Sequence, residues 1–278
     1  MTHSSGAGAI GVFDSGYGGL TILHEIRQQL PMYDYIYIGD NARAPYGSRS
    51  FDVVYEFTRQ AVMKLFAQGC RLVILACNTA SAKALRTIQQ HDLPTTYPSR
   101  RVLGVIRPTA EVIGDITTTR HVGIVATPGT IKSRSYEMEI GKLYPDIIVT
   151  GQACPLWAAI VEANEADSKG ADYFVKKRLD ELMSKDPLID SLILGCTHYP
   201  LLLSKIRKHL PASVHIIPQG CYVARSLDDY LHRHPEIASR CTQGGTCRYL
   251  TTESPERFQE TARMFLHEDV QVEHISLE

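Results

Sequence analysis

The sequence predicts an α/β protein of two pseudo-symmetric lobes, each a mainly parallel sheet flanked by helices. Short runs rich in β-branched residues alternate with longer segments of helical period, the pattern of βα units and parallel strands. A weak internal repeat relates the two halves of the chain. Its 278 residues also suit two modest domains better than one.

Taken in order, strands are expected at 10–13, 35–38, 72–76, 102–106, 122–126, 147–150, 191–194 and 214–217, with a short one near 248–251. Helices are expected at 51–68, 80–90, 129–144, 170–184, 201–210, 221–231 and 256–267. The first of these places Val54, Phe57, Ala61 and Leu65 on one face. The repeat pairs AIGVFDSG at 9–16 with HVGIVATP at 121–128, an offset of 112 from Gly11 to Gly123. It also pairs LVILACNTA at 72–80 with SLILGCTH at 191–198, an offset of 119 from Cys77 to Cys196. Any two buried strands look alike, but the second likeness continues past the strand into the turn. Each lobe is therefore expected to carry one cysteine at the same structural place.

Composition narrows the function classes. Hydrophobic residues make up 44% and charged residues 21%, a globular balance that can bury a core without staples. Lys plus Arg is 29 against 30 for Asp plus Glu. No basic excess points to direct nucleic-acid binding, and no polybasic run points to a membrane surface. The apolar runs are too short to span a bilayer. Residues 1–8 show no basic-then-apolar leader, so a cytoplasmic protein is expected. Seven cysteines, an odd number in a chain this long, argue for reduced thiols rather than a disulfide framework. Cys241 and Cys247 lack zinc-ligand spacing and a second pair, so no metal is expected. Cys70, Cys154 and Cys221 read as packing residues, the ordinary fate of a free cysteine.

Cys77 and Cys196 are different. Each closes a buried strand and opens a helix, and ligands of open α/β sheets bind beyond the carboxyl ends of strands. Asn78 and Thr79 are cap-type residues, backbone N–H groups of a first helical turn favour an anion, and Pro200 suits a first helical position. Two facing thiols fit inversion of a carbon, which takes a proton from one face and returns one to the other. An ordinary thiol, with a pKa of about 8.5, is only a few per cent ionised at neutral pH. Lowering it to about 7 takes roughly 2 kcal/mol, and a helix N-terminus supplies about 0.3–1 kcal/mol. Polar neighbours must therefore help, and the pair must titrate together. Two further turns stand out. FDSGYGGL at 13–20 ends a strand in Asp14 and Ser15 but lacks the lysine of a phosphate loop, and by itself reads as a capped βα turn. DNARAPYG at 40–47 is either a polar turn or a loop of backbone donors and a tyrosine hydroxyl for a carboxylate.

These motifs, with ACNTA at 76–80, GVI at 104–106, TPGT at 127–130, CPLW at 154–157 followed by Glu162, and LGCTHYPL at 194–201, closely resemble glutamate racemase. The resemblance runs in order from residue 10 to about 202. It implies cofactor-independent racemisation of L-glutamate to D-glutamate for peptidoglycan, in a site between two facing lobes. One lobe would be 1–106 with 217–278, the other 107–216. Residue by residue it makes Cys77 and Cys196 the two bases, with Asp14 and His198 assisting the cysteine beside each. Asp14 and Ser15 would face the substrate amine, and Asn78, Thr79 and Thr197 the α-carboxylate. Tyr46 and Gly47 would hold the side-chain carboxylate, and Glu162 would border the site. A homodimer is expected, with no cofactor, no metal and glutamate as the small-molecule partner.

Two departures mark this chain. Ile217, Pro218, Gln219 and Gly220 stand where the family often has Ile-Asp-Ser-Gly, and Arg107 stands where an acid is common. Alternatives are a racemase for aspartate or another acid of the same superfamily, an inhibitor that binds DNA gyrase, and a pyridoxal phosphate enzyme. The last lacks a lysine within these motifs.

Overall fold

The computed structural model describes residues 6–277. The expectation of no leader at 1–8 rests largely on positions outside the described residues. Among the described residues there are ten strands: β1 Ile10–Asp14, β2 Tyr35–Gly39, β3 Leu72–Leu75, β4 Arg101–Gly104, β5 His121–Ala126, β6 Ile148–Ala153, β7 Ser191–Gly195, β8 His215–Ile217, β9 Cys247–Thr251 and β10 Val272–His274. They form a six-stranded sheet in the order β10-β9-β2-β1-β3-β4 and a four-stranded sheet in the order β6-β5-β7-β8. Each strand-to-strand pairing in both is parallel. β1, β3 and β7 are buried along their whole length, as strands covered on both faces should be.

The internal repeat is visible as topology. β2-β1-β3-β4 in one sheet and β6-β5-β7-β8 in the other share one strand order. Gly11 pairs with Val73, and Gly123 pairs with Leu192. The two sequence offsets thus describe one register, used twice. The chain leaves the first sheet after Gly104 and returns after Ile217. The larger sheet adds β9 and β10 beyond β2.

Helices cover the sheets for local reasons. Ser50 caps the helix Phe51–Ala67 by accepting the Val53 amide, and the helix buries Val54, Ala61, Val62 and Leu65. Ser168 caps Lys169–Lys185 in the same way, and that helix buries Ala171, Val175, Leu179 and Leu182. Each buried valine or leucine among them contributes about 1.5–3 kcal/mol on leaving water. The helix Gly220–Arg233 packs on Gly19–Gln29 and on Ile106–Ile116, tying the return crossing to the outward one. One continuous core includes Val12, Tyr37 and Ile74 of the larger sheet with Val125, Leu192 and Leu194 of the smaller. Trp157 is wholly buried in it, edge-on to Tyr199 at 4.9 Å.

Several expected elements differ. The strand expected at 102–106 stops at Gly104, because Ile106 opens the helix Ile106–Ile116, where Pro108 is tolerated in the first turn. The helix expected at 129–144 breaks at Arg134, whose φ of 55° is left-handed. The helix expected at 80–90 is a run of short pieces from Asn78 to Thr96, including a π-helical turn at Ile88–Asp92. At 201–210 a 3-10 turn, Tyr199–Leu202, precedes a short helix, Leu203–Lys208.

Candidate active site

Cys77 follows β3 and caps the helix Asn78–Lys83, its Sγ accepting the Ala80 amide at 3.5 Å. Ser15 Oγ lies 3.4 Å from the same sulfur. Burial and the charge of Asp14 push the Cys77 thiol up to about 12, against the opposing hydrogen bonds from Ser15 and Ala80. The expectation of a lowered pKa therefore fails at Cys77: burial outweighs the cap, and the thiol is held protonated. The charge of Cys196 adds to the same upward push.

Cys196 follows β7, and its surroundings are different. His198 Nδ1 stands 3.8 Å from its sulfur, and His198 Nε2 stands 2.8 Å from Glu162 Oε1. Burial opposes a charge on His198, but its hydrogen bonds to Cys196 and Glu162 outweigh burial and raise its pKa to about 10. A proton can pass between sulfur and imidazole, with the carboxylate fixing the ring.

Asp14 ends β1. Its Oδ1 accepts the Gly16 amide at 2.9 Å, and its buried Oδ2 has no hydrogen-bond partner among the described residues. Burial raises its pKa, opposed by His198 and by the Gly16 and Gly19 amides. Beyond Asp14, the side chains of Thr197 and His198 in the opposite turn press on Gly18. A Cβ on Gly18 would lie 2.2 Å from Thr197 Oγ1 and 2.4 Å from His198 Nδ1, so only glycine fits there.

The structure thus gathers Asp14, Ser15, Cys77, Cys196, His198, Glu162 and Thr197. Asn78 and Thr79 lie in the first turn after Cys77 and are buried. Thr79 Oγ1 is 3.0 Å from Thr127 Oγ1 and 3.3 Å from Thr130 Oγ1. Tyr46 is placed differently from expectation: its hydroxyl donates to Asp40 Oδ2. That carboxylate also accepts from Arg43 Nε at 2.7 Å, and its other oxygen from Thr252 at 2.9 Å. The ring packs between Phe13 and Phe57. The hydroxyl expected to be offered to a carboxylate is already committed to a buried one. Gly47 presses on Thr127, where a Cβ would lie 2.8 Å from Cβ.

Other contacts were missed by sequence reasoning. The amide of Asn78 is held by Gln219 and Tyr136, partners far away in sequence. Arg107 pairs with Glu111 at 2.8 Å and Glu139 at 3.3 Å. It lines a cavity of about 1040 Å³ that also reaches Gly47 and Lys83. Among the described residues no cluster of three or more His, Cys, Asp or Glu could hold a metal ion. No helix among them is long and apolar enough to cross a membrane.

Known proteins resemble this chain over nearly its whole length. The chain is 41% identical over 276 residues to a glutamate racemase of Ruegeria sp., covering 95% of this chain and 99% of that one. It is 39% identical over 269 residues to a glutamate racemase of Streptococcus agalactiae, covering 96% of this chain and 98% of that one. Its structure resembles a glutamate racemase isoform from Bacillus anthracis, with a TM-score of 0.88, 37% identity and coverage of 97% and 98% of the two chains. A Francisella tularensis glutamate racemase, solved in complex with D-glutamate, gives a TM-score of 0.86 at 33% identity, covering 97% and 98%. The profile described as Asp/Glu/Hydantoin racemase matches residues 10–224, the span that holds both cysteine turns, and the chain belongs to that family.

Proposed function

We propose that this protein interconverts L- and D-glutamate by passing the α-proton between two thiols, with no metal or cofactor. One observation carries the reading. Cys77 and Cys196 close the equivalent strand of two sheets that share one order and one register. The near-full-length relatives named glutamate racemase support the choice of amino acid.

Inversion needs one group ionised and the other protonated on opposite faces of the carbon. Cys77, held protonated by burial and by Asp14, serves as the acid when Cys196 is the base. Cys196 gives its proton to His198, which Glu162 orients. In the other direction Cys77 is the base, and Asp14, whose own pKa is raised, takes its proton. Asp14 and Ser15 receive the substrate amine, and Asn78, Thr79 and Thr197 the α-carboxylate. With the Tyr46 hydroxyl committed to Asp40, the side-chain carboxylate falls to backbone N–H groups of the loop at Tyr46 and Gly47. Both sulfurs are buried, so the turns must part to admit glutamate.

The reading treats 1–106 with 217–278 as one lobe and 107–216 as the other, closing on the substrate. The D-glutamate would serve peptidoglycan synthesis in the cytoplasm, with the enzyme acting as a homodimer. The test is the optical rotation of L-glutamate incubated with purified protein and no added cofactor. Rotation should decay to zero at an equal mixture. Activity that vanished with a chelator and returned with metal, or no decay at all, would rule the reading out.

A further inference from the structure

Three side chains from distant parts of the chain close a hydrogen-bonded ring behind Cys77. Asn78 Nδ2 donates to Gln219 Oε1 at 2.7 Å, Gln219 Nε2 donates to the Tyr136 hydroxyl at 2.5 Å, and that hydroxyl donates to Asn78 Oδ1 at 2.6 Å. All three residues are buried. The direction of the ring is fixed from outside it. Gln219 Nε2 also reaches the Val105 carbonyl at 3.2 Å and Thr109 Oγ1 at 3.0 Å. A carbonyl only accepts, so this end of the Gln219 amide must be its nitrogen. Its oxygen then faces Asn78, which must present Nδ2, and Oδ1 must receive the tyrosine proton. The Asn78 amide is thereby held in one of its two orientations. One of its N–H bonds is spent on the ring and the other is not.

The ring also sits at both crossings between the sheets. Val105 and Thr109 belong to the outward crossing and Gln219 to the return. Tyr136 belongs to the helix Ser135–Leu143 beside the smaller sheet, and Asn78 to the turn of the larger one. Gln219 is one of the residues at which this chain departs from the family's usual run.

We propose that Gln219 is a positioning residue: through this ring it orients the Asn78 amide so that its remaining N–H meets the substrate carboxylate. The inference rests on the glutamate racemase reading above. Leucine at 219 removes both the acceptor for Asn78 and the donor to Tyr136, and leaves the Asn78 amide free to turn. Rings of this kind are cooperative and are best apportioned by double-mutant cycles.

The experiment measures kcat and KM for L-glutamate in wild type, Gln219→Leu, Asn78→Ala and the double variant, with thermal melting as the check on folding. Gln219→Leu is expected to raise KM about tenfold with kcat within about threefold, and to add nothing further in the Asn78→Ala background. Tyr136→Phe opens the same ring at another point and should raise KM in the same way; it replaces Gln219→Leu in the cycle if that variant does not fold. An unchanged KM, a loss confined to kcat, or the same KM rise with and without Asn78 would overturn the proposal. Wild-type turnover separates the two ideas. Its absence overturns the glutamate reading and this inference with it, whereas turnover with any of those variant results overturns the inference alone.

Discussion

Replacing Glu162 with glutamine tests the acid–base partner of Cys196. Glutamine keeps the shape and an acceptor oxygen and removes the charge. His198 is held at about 10 against an ordinary 6.5, a difference of roughly 5 kcal/mol in favour of the imidazolium, shared between Cys196 and Glu162. The Glu162 share is a 2.8 Å bond from a side chain one-third exposed, so solvent weakens it. A charge-assisted hydrogen bond is worth about 1.5–3 kcal/mol. Taking the lower part of that range, Glu162→Gln should lower the His198 pKa by about 1–2. A weaker proton acceptor beside Cys196 should cut kcat for L-glutamate about tenfold, the equivalent of about 1.4 kcal/mol. Nitrogen-15 NMR of the imidazole reads the first effect and polarimetry the second. Stability should follow the same sign. The folded-state value is raised, so the stability His198 confers is full below about 6.5 and is lost as pH rises through about 10. In the variant that loss should be smaller and complete at lower pH, seen by urea denaturation across the window. An unmoved imidazole midpoint, or a lowered midpoint with kcat unchanged, would refute the assigned role of Glu162.

Cys77→Ala and Cys196→Ala should each abolish inversion. In heavy water any residual exchange should favour L-glutamate in the first and D-glutamate in the second, and exchange of the same enantiomer by both would count against two bases. Gly18→Ala places a methyl 2.2 Å from Thr197 Oγ1 and should cost at least a hundredfold in kcat/KM while the helix Gly19–Gln29 persists by circular dichroism. Tyr46→Phe leaves the buried Asp40 carboxylate short of a donor and should destabilise by about 1–3 kcal/mol in urea, with KM for glutamate rising less than tenfold. A larger KM change would return the hydroxyl to the substrate.

Strands were legible where side-chain chemistry was local. β3 and β7 announce themselves by their β-branched and leucine-rich runs, and both cysteine turns follow from their neighbours in sequence. The break at Arg134 was not legible, because nothing in a window around it marks a left-handed residue. It is supported by Ser133, whose hydroxyl accepts the Ser135 amide at 3.2 Å and donates to the Thr130 carbonyl at 2.6 Å. β10 is three residues long, too short for alternation to show. In the site, the role of His198 beside Cys196 came from the family resemblance, while the ring around Asn78 stayed hidden. Its members are 58, 83 and 141 residues apart, and side-chain partners at such distances leave no periodic trace. The commitment of Tyr46 to Asp40 was hidden differently: both lie in one motif, but only the folded loop decides which group the hydroxyl meets.

The shared strand order and register have a thermodynamic side. Substrate and product of a racemase are mirror images, so in water their equilibrium constant is one. For any variant, however damaged, kcat/KM must then be equal in the two directions. The scaffold presents its sulfurs from equivalent strands, but dresses them unequally: Ser15 and Asp14 on one side, His198 and Glu162 on the other. That inequality cannot bias the net outcome. It can only decide how long each enantiomer stays bound before it turns over, through kcat and KM moving together. A comparison of the two saturation curves of the wild type therefore reads how unequally the site holds the two enantiomers, with no mutation.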